Sequence, residues 1–112
     1  MIEKLIRDYL AEKLSVSVYM EYPENPPESF VLVTRTGGGG SHIKTATFAI
    51  QSYAKSLYDA AVLNEEVKSA MAWSIEKNEI SKSELNSDYE FTDTAKKRYR
   101  YQAVFELTYM ED

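Results

Sequence analysis

Cysteine is absent from the 112 residues. That excludes disulfides and thiolate-bound metal, and it permits a reducing compartment such as the cytoplasm. Histidine occurs once, at His42, so no His-x3-His pair or comparable ligand spacing exists. Beside a glycine run, His42 reads as a solvated loop residue. Long apolar runs are missing: no stretch approaches the ~20 residues needed to span a bilayer as a helix. The opening Met1-Ile-Glu-Lys-Leu-Ile-Arg-Asp8 carries both signs of charge and does not resemble a signal peptide. A basic balance is missing too. Thirteen Lys and Arg face eighteen Asp and Glu, for a net charge of −5 and a pI near 4.9. Phosphate-backbone binders are usually basic, so nucleic acid is disfavoured as a general partner.

Catalytic signatures are also lacking. There is no Gly-x-Ser-x-Gly and no histidine-assisted serine. Glu65 with Glu66, Asp88 with Glu90, and Glu111 with Asp112 are neighbouring carboxylates. A glycosidase-type pair must face across a cleft in unequal environments, which nothing in their spacing indicates. They read as solvated surface, and an enzyme is not expected.

What is present begins with Tyr99 to Tyr109. Tyr99, Tyr101, Ala103, Phe105, Leu107 and Tyr109 alternate with Arg100, Gln102, Glu106 and Thr108. Period-two alternation gives a strand with one apolar and one mostly polar face. At eleven residues the strand is long, and other parts of the chain must cover its apolar side. The chain length suits one domain, residues 1–112, with a core that needs no staples.

Taken in order, Ile2, Leu5, Ile6, Tyr9, Leu10 and Leu14 predict an amphipathic helix over 2–14. The mixed charges of its polar face argue against a membrane-surface role. Val16 to Tyr22 reads as a short strand, and Pro23, Pro26 and Pro27 punctuate a turn. Phe30 to Arg35 reads as a second strand, expected to pair with the first as a hairpin. Thr36 precedes Gly37-Gly38-Gly39-Gly40-Ser41, and Ile43 to Tyr53 forms a third strand. The four glycines read as a flexible hairpin tip, and the run has the sequence of a common engineered linker. Phosphate cradling would require a strand-to-helix setting that is absent. Ser56 with Asp59 marks a helix start, and apolar residues from Leu57 to Ile75 continue that helix to about residue 76. Trp73 falls at the margin of its stripe. Asn78 to Asp88 is polar and turn-rich, Tyr89 to Thr92 is a possible short strand, and Asp93 to Lys97 is a charged turn. Periodicity does not separate strand, helix and loop between Ile80 and Phe91.

The expected fold class is α+β: a two-layer sandwich, with a mostly antiparallel sheet of about four strands and two helices on one face. Lys96, Lys97, Arg98 and Arg100 interleave with Tyr99 and Tyr101. That pattern can grip single-stranded nucleic acid. Alternation, however, sends the tyrosines to the face that must pack. The expected reading is a charged strand face, or charges that meet an acidic neighbour. Nine tyrosines exceed what a core needs and, with a glycine-tipped hairpin and exposed strand edges, suggest assembly.

Over nearly its full length the chain resembles the small tail-terminator, or tail-completion, proteins of long-tailed bacteriophages and prophages, often labelled minor capsid or head–tail joining proteins. The resemblance rests on Met1 to Leu10, on Pro23 to Val33 leading to Thr36-Gly-Gly-Gly, on Ala46 to Ala54 followed by a helix, and on Tyr99 to Leu107. It implies a non-enzymatic subunit of a homo-oligomeric ring, commonly a hexamer, that caps the tail tube and connects it to the head. It implies no cofactor and no metal. The partners it implies are tail-tube and head-connector proteins. DNA would pass through the ring without specific binding, and a weakly adhesive acidic lumen would suit the composition. The implied location is the virion, at the tail–head junction, after assembly in the host cytoplasm, with no membrane. Subunit contacts would fall on Arg35, Thr36, Gly37, Gly38, Gly39, Gly40 and His42. The alternative reading is a small non-catalytic adaptor that binds proteins through its sheet edge.

Overall fold

Ile2, Ile6, Tyr9 and Leu10 recur at helical spacing and are all buried, so residues Ile2–Lys13 form α1 with one face laid on the rest of the protein. Glu3 in the first turn and Lys13 in the last complement the helix dipole. The computed structural model describes residues 1–95 and 98–110. Lys96, Lys97, Glu111 and Asp112, expected in a charged turn and an acidic end, lie outside the described residues.

After α1 come β1 (Ser17–Tyr19), β2 (Phe30–Gly39), β3 (Lys44–Ala54), α2 (Leu57–Ala72), a 3₁₀ turn at Ser74–Glu76, β4 (Ile80–Glu90) and β5 (Tyr99–Tyr109). One five-stranded sheet has the order β1-β2-β3-β5-β4, and both helices lie on one face. The α+β, two-layer expectation holds. Two corrections apply to the sheet: it has five strands where about four were expected, and it is mixed.

The first correction is β4. Only Ile80 of its eleven residues is buried. A strand at the sheet's edge keeps few apolar positions, so its sequence carries no period-two signal. The second is the β1–β2 pair. It is parallel, with Ser17 opposite Phe30 and Tyr19 opposite Leu32, where a hairpin was expected. A parallel pair needs a crossover longer than a tight turn, and the proline-bearing connection 20–29 supplies it.

Pairing also extends further into the glycines than a flexible tip would allow. Gly37, Gly38 and Gly39 pair with Thr47, Ala46 and Thr45, past a bulge between Arg35 and Gly37. Gly38 has φ +145°, and a Cβ there would lie 2.3 Å from the Thr45 carbonyl oxygen. Only glycine fits that approach.

The helix-facing side of the sheet carries Val31, Val33, Phe48, Ile50, Phe105 and Leu107, all buried. Against them pack Ile6 and Leu10 of α1 and Leu63, Val67 and Met71 of α2. Ala60 is fully buried, and its small side chain lets α2 approach closely. Ser56 caps α2 by accepting from the Asp59 backbone N–H at 3.1 Å, as expected. The α-helix ends at Ala72, and the 3₁₀ turn carries the chain to Glu76. Leu57 and Ile75, expected in the buried stripe, are exposed. The Tyr9 hydroxyl donates to the Ala70 carbonyl at 2.7 Å, tying α1 to the far end of α2.

Candidate assembly surfaces

Of the expected contact residues, Arg35, Thr36, Gly37, Gly38 and Gly39 lie in β2, and Gly40 and His42 in the turn that follows. All seven are exposed. Arg35 is tethered at the base of this projection, where its Nε donates to the Gly37 carbonyl at 3.2 Å and its Nη1 lies 3.9 Å from Glu3. His42 is exposed in the turn at the tip. The hairpin therefore joins these residues into one surface, stiffened by strand pairing for most of its length.

Two sheet edges are open. Because β1 covers only Phe30 to Leu32, the outer side of Val33–Gly39 has no paired strand among the described residues. The outer side of β4 is likewise unpaired along Ile80–Glu90. The register places the two edges level with each other. Gly39 pairs with Thr45, Thr45 with Thr108, and Thr108 with Lys82. Further along, Thr34 reaches Ser87 through Ala49 and Val104. Three successive antiparallel pairings also leave β2 and β4 running in opposite directions. Bulges at Ile80/Lys82 and Leu85/Ser87, with Lys82, Glu84 and Glu90 along the edge, suit a strand guarded against indiscriminate pairing.

The sheet face away from the helices departs from expectation. Its polar alternation predicts a charged, solvated surface, yet Phe30 and Tyr53 on this face are buried. Their rings stack at 4.4 Å with an interplanar angle of 6°, and Tyr19 and Tyr22 meet them edge-on. Arg98 and Arg100 lie over these rings, where a charged strand face or an acidic neighbour was expected. Tyr99 and Tyr101 point to the other face, as alternation requires, though Tyr99 stays exposed. A hydrogen-bonded chain then crosses three strands. Arg100 Nη1 donates to the Tyr53 hydroxyl at 3.0 Å, and Tyr53 donates to Gln51 Oε1 at 2.9 Å. Gln51 Nε2 donates to Gln102 Oε1 at 2.8 Å, and Gln102 Nε2 donates to the Tyr89 hydroxyl. The signal for this cluster lay in the tyrosine excess and in Tyr53 falling on the side of β3 that reads as polar.

Elsewhere, Trp73 is 68% exposed and lines a groove of about 560 Å³ between the C-terminal ends of the helices, with Tyr9, Lys13, Leu14 and Glu76. Glu76 lies 3.0 Å from Lys13 and holds its ammonium pKa above the ordinary value. Burial pushes the Tyr9 hydroxyl up as well. On the opposite side of α2, hydrogen bonding to Asp88 raises the pKa of Lys68. Glu65 shares that ion-pair cluster at 3.1 Å from Lys68. Among the described residues no three His, Asp or Glu side chains converge as a metal site, and no helix is long and apolar enough to cross a membrane. No protein-family model and no curated protein matches the chain.

Proposed function

We propose that the chain is a structural, non-catalytic subunit that assembles head to tail into a closed ring, in the manner its resemblance to phage tail-completion proteins implies. In that role the ring, a hexamer in the implied family, caps a tail tube and offers its other face to the head connector. It sits at the tail–head junction of the virion, and DNA passes through without being read.

One observation carries this reading: the two open edges of the sheet are level and opposite in direction. A rotation about an axis along the strands preserves strand direction. It therefore brings β4 of one copy against the Val33–Gly39 edge of the next as an antiparallel pair. Such a heterologous contact generates a ring when the rotation closes. The projecting hairpin adds Arg35 to Gly40 and His42 to the same contact.

Size-exclusion chromatography with light scattering and negative-stain microscopy test the proposal. Annular particles are the expected result. A species that stays monomeric or dimeric up to high concentration favours the adaptor reading instead. Paired edge charges sharpen the test. Thr34→Lys with Ser87→Lys should block assembly by like-charge repulsion across the joint, whereas Thr34→Lys with Ser87→Glu should permit it.

A further inference from the structure

Most cations described in this acidic protein are matched to a carboxylate. Lys4, Arg7, Lys13, Arg35, Lys68 and Lys82 each lie within ion-pair distance of an Asp or Glu. Of the four described arginines, Arg7 and Arg35 are paired in this way, and Arg98 and Arg100 are not. Each sits over the Tyr53 ring, 5.7 Å from its centroid in both cases. Arg98 also lies 5.5 Å from the centre of Phe30, and Arg100 4.3 Å from that of Phe91. Two guanidiniums share one aromatic wall, and the ring quadrupole holds them there.

Their donors are largely unspent. A guanidinium carries five N–H donors and no acceptor. Arg100 uses Nε on the Phe91 carbonyl and Nη1 on the Tyr53 hydroxyl. Arg98 makes one long bond, 3.4 Å from Nη2 to the Pro27 carbonyl, and its Nε is buried without an acceptor. A buried donor left unpaired is unfavourable. Both side chains line a cavity of about 140 Å³ with Tyr22, Tyr53 and Asp93.

We infer that this cavity receives a carboxylate presented by an acidic segment of another protein. Two features select that ligand. Forked guanidiniums match the two oxygens of a carboxylate. Exposed Tyr22 lines the cavity and exposed Phe91 lies against Arg100, and the two supply the aromatic surface that protein interfaces favour. This site is on the helix-free face and does not depend on the ring reading.

The test uses the full-length ¹⁵N-labelled protein and follows the arginine Nε–H signals by NMR. The probes are the peptide amide N-acetyl-Glu-Glu-Glu-Glu, its tetraglutamine counterpart, inorganic phosphate and a ten-residue oligothymidylate, at ionic strength fixed with sodium chloride. The expected result is a saturable shift of the Arg98 and Arg100 signals with tetraglutamate and none with tetraglutamine. Arg100→Lys, which keeps the charge and loses the fork, should weaken that binding about tenfold, the equivalent of one charge-assisted hydrogen bond. Its backbone spectrum reports whether the fold survives, and the wild-type titrations decide the matter if it does not. No saturable shift with tetraglutamate overturns the inference. Tighter binding of phosphate or oligothymidylate than of tetraglutamate also overturns it, by assigning the cavity to a phosphate.

Discussion

Phe48 and Phe105 stand directly opposite each other on β3 and β5, both buried on the helix-facing side of the sheet. This pair sits at the middle of the sheet and under α2. Truncating either ring leaves a void that the surrounding strands cannot close by a small shift. Phe105→Ala should destabilise the fold by roughly 3–5 kcal/mol, read from urea unfolding at unchanged m-value. A loss under 1 kcal/mol would contradict the packing described for β5.

The glycine run makes a sharper prediction because its members are not equivalent. A Cβ at Gly37 meets nothing within 4 Å, whereas one at Gly38 meets the Thr45 carbonyl in a positive-φ backbone. Gly38→Ala should therefore cost about 1–3 kcal/mol of strain, while Gly37→Ala should be neutral or gain up to roughly 1 kcal/mol by restricting the unfolded chain. Thermal melts of the two variants side by side decide it. Equal effects would mean that the hairpin is a loose loop.

The Tyr53 hydroxyl joins Arg100 to the glutamine ladder. Tyr53→Phe keeps the ring that Phe30 stacks on, removes the acceptor of Arg100 and strands the Gln51 oxygen. The expected loss is about 1 kcal/mol. Slower exchange in the variant than in the wild type, at the amides of Gln51 and Gln102, would count against the ladder.

Ser56→Ala removes the acceptor for the Asp59 N–H and should cost about 1 kcal/mol. Ser56→Asp should retain most of that stability. If both variants melt together, the cap contributes nothing.

Asp8 gives a pH-dependent readout. Hydrogen bonds from Lys4 at 2.6 Å and Arg7 at 2.8 Å hold its carboxyl below the ordinary aspartate range. A lowered folded pKa contributes stability above the unfolded value of about 3.9, and that contribution fades as pH falls through the lowered folded value. Carboxyl ¹³C titration should show Asp8 ionising below that range. Lys4→Met should move its midpoint upward. A midpoint that Lys4→Met leaves in place would place the cause elsewhere.

Legibility followed burial on one face. β3, β5 and α1 put apolar residues at strict spacing against a single core, so Ala46, Phe48, Ile50, Phe105 and Leu107 could be assigned to the buried side from alternation. β4 could not be seen, because Ser81 to Glu90 bury no apolar side chain and an edge strand is held by backbone bonds that leave no mark on composition. Direction was invisible for a related reason: Val18 and Val31 alternate identically whether β1 runs with β2 or against it. The aromatic cluster was hidden because Arg98, Arg100 and Gln51 look like solvent-facing residues, while their role is to roof Phe30 and Tyr53. For the hairpin, sequence located the surface residues from Arg35 to His42 but not the pairing that stiffens Gly37 to Gly39.

The position of β5 bears on how the protein can be made. It follows β4 in chain order, yet it lies inside the sheet, between β3 and β4. A ribosome must release residues 99–109 before the hydrophobic interior has its middle slat, so the elements that precede them wait as an open, unsealed sheet. Its nascent form exposes that surface to aggregation, and a nonsense codon before residue 99 yields material for proteases in place of a shortened but working molecule.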